Sequence, residues 1–161
     1  MICLGIDPGT LKPGFCVLSL PSEARGSCKI LSAGCLVLRT KDPLPVRLMH
    51  IYDFFENMIV TCSVSSLAIE TPFLGKNAQN FLKLGYVRGI LYLLAQRKGL
   101  EIQEFTPRQV KLAVSGYGGA DKEMVARSLS KLFPVFDPSA VEMFDITDAI
   151  AVAFCGIMSL R

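Results

Sequence analysis

The chain has 161 residues, 51% of them apolar, and a net charge of +3. That is enough chain for one domain with a real core, and it is too apolar to remain disordered. The longest uncharged run, Asn57 to Ile69, is too short and too polar for a bilayer span, and no basic-then-apolar export signal opens the chain, so a cytoplasmic protein without a membrane anchor is expected. The mild basic excess permits nucleic acid binding without requiring it. None of the six cysteines falls in a CxxC pair, which reads as reduced thiols in a reducing compartment. The single histidine, His50, lies in an amphipathic helical pattern with no Cys or acidic cluster nearby, a poor zinc site.

Ile2 to Asp7 is a short apolar run closed by Pro8-Gly9-Thr10, the pattern of a buried strand ending in a tight turn. Residues 14–20 and 29–38 read as two further strands, the latter interrupted near Ala33-Gly34. Short turns between them predict antiparallel neighbours. Leu48, Ile51, Tyr52, Phe55, Met58 and Ile59 recur at helical spacing, so 44–61 is an amphipathic helix. Ser66 to Glu70 follows as a strand, expected to pair in parallel with the first because a helix precedes it.

Pro72 to Gly75 reads as a loop, Lys76 to Lys98 as a long helix stopped by Gly99, and Glu101 to Phe105 as a strand. Thr106-Pro107-Arg108-Gln109 has the capping-box pattern with proline at the first helical position, opening a short helix to Ser115. A glycine-rich loop, Gly116-Tyr117-Gly118-Gly119, leads to a helix from Asp121 to about Phe133. After a loop from Pro134, the last helix spans about Val141 to Leu160. The order predicts an α/β fold: a five-stranded mixed sheet flanked by helices on both faces.

Four acids stand out. Asp7 and Glu70 each end an apolar strand, where a buried charge is costly unless paired or bound to metal. Asp145 and Asp148 share a helical face and lead into the apolar run Ala149 to Phe154. Taken singly, acids near a helix start have an ordinary reason in the helix dipole, and Asp121, Glu123 and Glu142 are read that way. Four together would repel strongly unless divalent metal removes the penalty. Oxygen ligation favours Mg²⁺ or Mn²⁺, and two such ions activate water and stabilise a leaving oxygen at a phosphodiester.

The opening Gly5-Ile6-Asp7-Pro8-Gly9-Thr10 resembles that of the RuvC family of Holliday-junction resolvases. The same holds for Ala68-Ile69-Glu70-Thr71-Pro72-Phe73, for Lys76-Asn77 and Lys83 to Gly89, for Arg108-Gln109-Val110-Lys111, for Gly116 to Lys122, and for Asp145-Ile146-Thr147-Asp148-Ala149. The matches run in order across nearly the whole chain. The resemblance implies a ribonuclease-H-like fold, a homodimer, and Mg²⁺-dependent, two-metal nicking of opposed strands of a four-way DNA junction. It also implies a branch-migration complex (RuvAB-like) as a partner. By position, Asp7, Glu70, Asp145 and Asp148 would be the metal-binding carboxylates, with Asp7 bridging both ions.

The resemblance further implies that Phe73 stacks on an unpaired base at the junction centre; the alternative is a phenylalanine packed under its loop. Lys76, Lys83, Arg88, Arg108, Lys111 and Lys122 are the candidate phosphate contacts. Lys111 and Lys122 flank the glycine-rich loop, and a lysine near the scissile phosphate would steady charge in the transition state. Gly85 and Gly89, one turn apart, allow close approach either of a second subunit or of the chain's own sheet. Two other readings are open: a YqgF-like RNA-processing nuclease of the same fold, and an actin-like or sugar-kinase-like ATP-binding protein, which shares the Asp-x-Gly-Thr turn but normally has a far longer chain.

Overall fold

The computed structural model describes residues 1–21, 27–72, 78–134 and 144–160. The strands are β1 (Ile2–Asp7), β2 (Gly14–Ser19), β3 (Lys29–Cys35), β4 (Ser66–Glu70) and β5 (Glu101–Phe105). The helices are α1 (Leu44–Thr61), α2 (Ala78–Lys98), α3 (Pro107–Ser115), α4 (Lys122–Leu132) and α5 (Phe144–Ser159). The strands form one sheet in the order β3-β2-β1-β4-β5. β1 is antiparallel to β2, with Gly5 opposite Cys16, and parallel to β4, with Gly5 beside Ala68. The hairpin turn after Asp7 and the crossover through α1 dictate these two directions.

Period-2 alternation splits the sheet between two cores. Leu4, Ile6, Leu67 and Ile69 face one way, onto α1 and α2, which contribute Ile51, Phe55, Val87, Leu91 and Leu94. Cys3 and Ala68 face the other way, onto α5, above which lie Val110 and Val114 of α3 and Val125 and Leu129 of α4. The expected mixed sheet with helices on both faces is therefore present. α5 is apolar all round from Ala149 to Ala153 because sheet covers one side and helices the other.

The local signals act as expected where they are self-contained. Thr106 and Gln109 form a reciprocal capping box at α3, and Gly116 ends that helix at a positive φ of 76°. Asp121 caps α4 by accepting from the Met124 N–H at 2.7 Å. β3 differs from expectation. It runs unbroken through Ala33 and Gly34; the register shift lies earlier in the strand, where Ser32 pairs with Val17 and Ile30 with Leu18, leaving Leu31 as the extra residue. Its regular pairing ends at Cys35, after which Leu36 and Leu38 donate backbone bonds to the carbonyls of Pro13 and Leu11. Positions 76–77 and 141–143 of the expected helices lie outside the described residues. All six cysteines are thiols, and burial pushes those of Cys3 and Cys155 up to about 11.

α5 lies unusually close to the sheet because glycine leaves it room. A Cβ on Gly5 would fall 2.3 Å from the backbone nitrogen of Ala153, and one on Gly14 would fall 2.2 Å from the carbonyl oxygen of Asp145. Gly5→Ala therefore pushes α5 off β1. The expected cost is about 2–3 kcal/mol, as for overpacked cores, measured by urea unfolding; wild-type stability in this variant would contradict the packing described.

Candidate active site

Asp7 and Glu70 end neighbouring parallel strands. Their last registered neighbours are Ile6 and Ile69, so the two carboxylates leave the sheet side by side. Alternation turns both toward α5: Cys3 and Gly5 precede Asp7 on that face, and Ser66 and Ala68 precede Glu70. The close packing of α5 brings Asp145, in its first turn, and Asp148 to the same place. A cleft of about 350 Å³ opens there, and Asp7, Glu70, Asp148, Lys111 and Lys122 line it together with Pro8, Thr71 and Leu84. Asp145 stands outside this lining, yet close enough to Asp7 for its charge to act on it.

The electrostatics follow from crowding. Burial, reinforced by Asp148, Glu70 and Asp145, raises the Asp7 carboxyl to about 7. Burial and Asp148 raise Glu70 to about 7, against the opposing pull of Lys122 and Lys111. Burial also raises Asp148, opposed by Lys122, whose ammonium lies 3.4 Å from Asp148 Oδ2. The carboxylates share the cleft without closing into a cage: among the described residues no three acidic, histidine or cysteine side chains are gathered tightly enough to enclose an ion. In chemistry the donor set is all oxygen and strongly negative. It suits a hard divalent cation, which would keep these acids ionised at neutral pH.

The other candidate residues separate. Lys111 on α3 and Lys122 at the start of α4 reach the cleft. Lys83 and Arg108 are exposed on α2 and α3, Arg108 lying against Gly118. Arg88 turns elsewhere: its guanidinium donates to Glu104 of β5 and to the Tyr92 hydroxyl, and its side chain is only 17% exposed. That cluster ties α2 to the sheet edge. Phe73 and Lys76 lie outside the described residues. His50 is exposed on α1. Lys12, in the turn between β1 and β2, has no motif to mark it, but its ammonium lies 3.7 Å from Asp145 Oδ2.

A family profile described as "Crossover junction endodeoxyribonuclease RuvC" matches residues 3–156. The chain belongs to the RuvC family. Among curated relatives, the crossover junction endodeoxyribonuclease RuvC of Chlorobium phaeovibrioides is 41% identical over 158 residues, covering 98% of this chain and 82% of its own. The RuvC structure from Thermus thermophilus superposes with a TM-score of 0.87 at 23% identity, covering 100% of this chain and 96% of that one. The same Thermus RuvC in complex with Holliday junction substrate gives 0.88 at 23% identity, covering 100% and 95%. The architecture is the ribonuclease-H-like fold of that family. The family assignment favours neither the RNA-processing nor the ATP-binding alternative.

The raised carboxyls make the ion-free protein sensitive to pH. Asp7 and Glu70 keep protons in the folded state that the unfolded chain releases near pH 4. Between about pH 4 and 7 the folded state therefore binds more protons, and stability falls as pH rises. In EDTA, Tm is expected to drop by about 3 °C or more from pH 5.5 to 8. Asp7→Asn should flatten that slope, and Mg²⁺ should restore the loss; thermal scans with and without Mg²⁺ check both. For Arg88→Ala, chemical denaturation should show a loss of about 1 kcal/mol. The salt dependence of DNA binding should stay unchanged, because this guanidinium is committed within the protein.

Proposed function

We propose that this chain is a Holliday-junction resolvase, a divalent-metal-dependent endonuclease that nicks two opposed strands of a four-way DNA junction in recombination and repair. The observation that carries the reading is the meeting of Asp7, Glu70 and Asp148 in one cleft walled by Lys111 and Lys122, in a chain of the RuvC family. The names of the curated relatives and the Thermus complex with a Holliday junction support the substrate.

In this reading one domain forms each active site, and Asp7, Glu70, Asp145 and Asp148 would hold two Mg²⁺ ions, with Mn²⁺ able to replace them. Bound there, the ions supply an activated water and stabilise the leaving oxygen. The chain's own part is positioning and charge. The acids orient the ions from rigid strand ends and one helix. Lys111 and Lys122 hold the scissile phosphate and steady its added charge. Lys76, Lys83 and Arg108 follow the DNA backbone, and Phe73 stacks at the open centre of the junction. Arg88 drops out of this set because its partners are Glu104 and Tyr92.

Two opposed nicks call for two active sites. A homodimer through α2 fits: Leu82, Tyr86 and Leu93 are exposed on that helix, and a Cβ on Gly85 or Gly89 would meet nothing within 4 Å among the described residues. A RuvAB-like branch-migration complex is the proposed partner and the cytoplasm the proposed setting. No helix among the described residues is long and apolar enough to cross a membrane.

The test offers purified protein a labelled mobile four-way junction, a linear duplex and an RNA–DNA hybrid, with and without Mg²⁺. Paired nicks in the junction alone, only with Mg²⁺, are expected. Asp7→Asn should abolish them while changing the junction Kd by no more than a few-fold. Cleavage of the hybrid in preference to the junction would overturn the reading, as would undiminished Mg²⁺-dependent nicking by Asp7→Asn.

A further inference from the structure

Two lysines line the cleft. Lys111 and Lys122 come from α3 and α4, and their charges act on Glu70 and Asp148. Asp145 has a different neighbour. Lys12 Nζ lies 3.7 Å from its Oδ2, with the two side chains 40% and 41% exposed. An ion pair this exposed adds little stability, so its meaning lies in how it is held. The turn carrying Lys12 is fixed on both sides. Leu38 and Leu36 donate to the carbonyls of Leu11 and Pro13 at 2.9 and 3.0 Å, and Arg47 Nη1 donates to the Thr10 carbonyl at 2.9 Å. Two residues on, Gly14 lies directly against the Asp145 carbonyl. The hairpin and the first turn of α5 are thus in backbone contact, and Lys12 is anchored beside Asp145.

Asp145 is also the one acid of the four that does not line the cleft. If it turns inward to a divalent ion, a double positive charge replaces a single one at its oxygens. Lys12, carried on the hairpin turn and not on α3 or α4, is then left partly exposed, anchored and without its counter-charge. The anion that a DNA strand delivers to an exposed ammonium is a backbone phosphate.

We propose that Lys12 is a strand-positioning residue that exchanges partners: it pairs with Asp145 in the ion-free site and, once a divalent ion takes that carboxylate, holds a DNA phosphate flanking the scissile one. Cations from the hairpin as well as from α3 and α4 then hold the strand. The inference rests on the nuclease reading above.

The test measures junction Kd against salt for wild type, Lys12→Ala and Lys12→Arg, in EDTA and in Ca²⁺, another hard oxygen-binding ion, at matched ionic strength. In Ca²⁺, Lys12→Ala should weaken binding roughly three- to tenfold and lower the salt slope by about one phosphate contact. Lys12→Arg should restore both. In EDTA the three proteins should bind alike. Calorimetric titration of the DNA-free protein adds a second readout: Lys12→Ala should bind the ion more tightly than wild type, having no ammonium to displace. An unchanged slope in Ca²⁺ overturns the proposal, and so does an equal loss in EDTA and Ca²⁺. If wild type neither binds nor nicks junctions, the nuclease reading has failed instead.

Discussion

Mutual repulsion among half-buried carboxylates is the constraint on which this structure turns. Asp7, Glu70 and Asp148 share one cleft with Asp145 beside it, and the crowding shows in carboxyls raised to about 7 at both strand ends. Nothing local would bring these side chains together. The fold does it with two parallel strands ending at the same level and a helix pressed onto them where glycine leaves space. Backbone packing in two cores opposes the repulsion, and the site keeps a standing demand for positive charge.

That demand is met from separate parts of the fold. The acids are fixed by sheet register and by a buried helix. The cations come from the periphery: Lys111 from a capped helix, Lys122 from the exposed first turn of α4, Lys12 from a hairpin turn. Acids seated by the sheet and a buried helix, with lysines set around their edge, suit a site that must receive both metal and polyanion. Arg88 marks the boundary of this arrangement. It belongs to the scaffold, joining α2 to β5 through Glu104.

Much of this was legible before any coordinates. An acid closing an apolar run marks a strand end facing a cleft, and both Asp7 and Glu70 are found there. The capping box at Thr106 and the cap at Asp121 use only neighbours in sequence, so they read directly. Pairings across the chain did not. Lys12 meets Asp145, and Arg88 meets Glu104, and neither spacing leaves a trace in a one-dimensional pattern. Asp145 and Asp148 looked equivalent because both lie on one helical face. Their different surroundings depend on the rotation of α5 against the hairpin. The irregularity expected at Ala33-Gly34 sits two residues earlier, at Leu31, because register is set by the pairing with β2, which the sequence of β3 alone does not show.

The bare seam under α5 also limits how this protein can diverge. Gly14 meets Asp145 and Ala149, Gly5 meets Ala153, and Gly156 meets Ala68 and Cys3, so one stripe of the helix is indexed to the strands like teeth to a rack. Adding or deleting a single amino acid between Asp148 and Ala153 would turn everything before it by about 100°. The acids would then swing off the cleft while the rest of the helix stayed seated. Descendants of this gene can vary the surrounding loops in length, but this stretch of helix can change only by substitution.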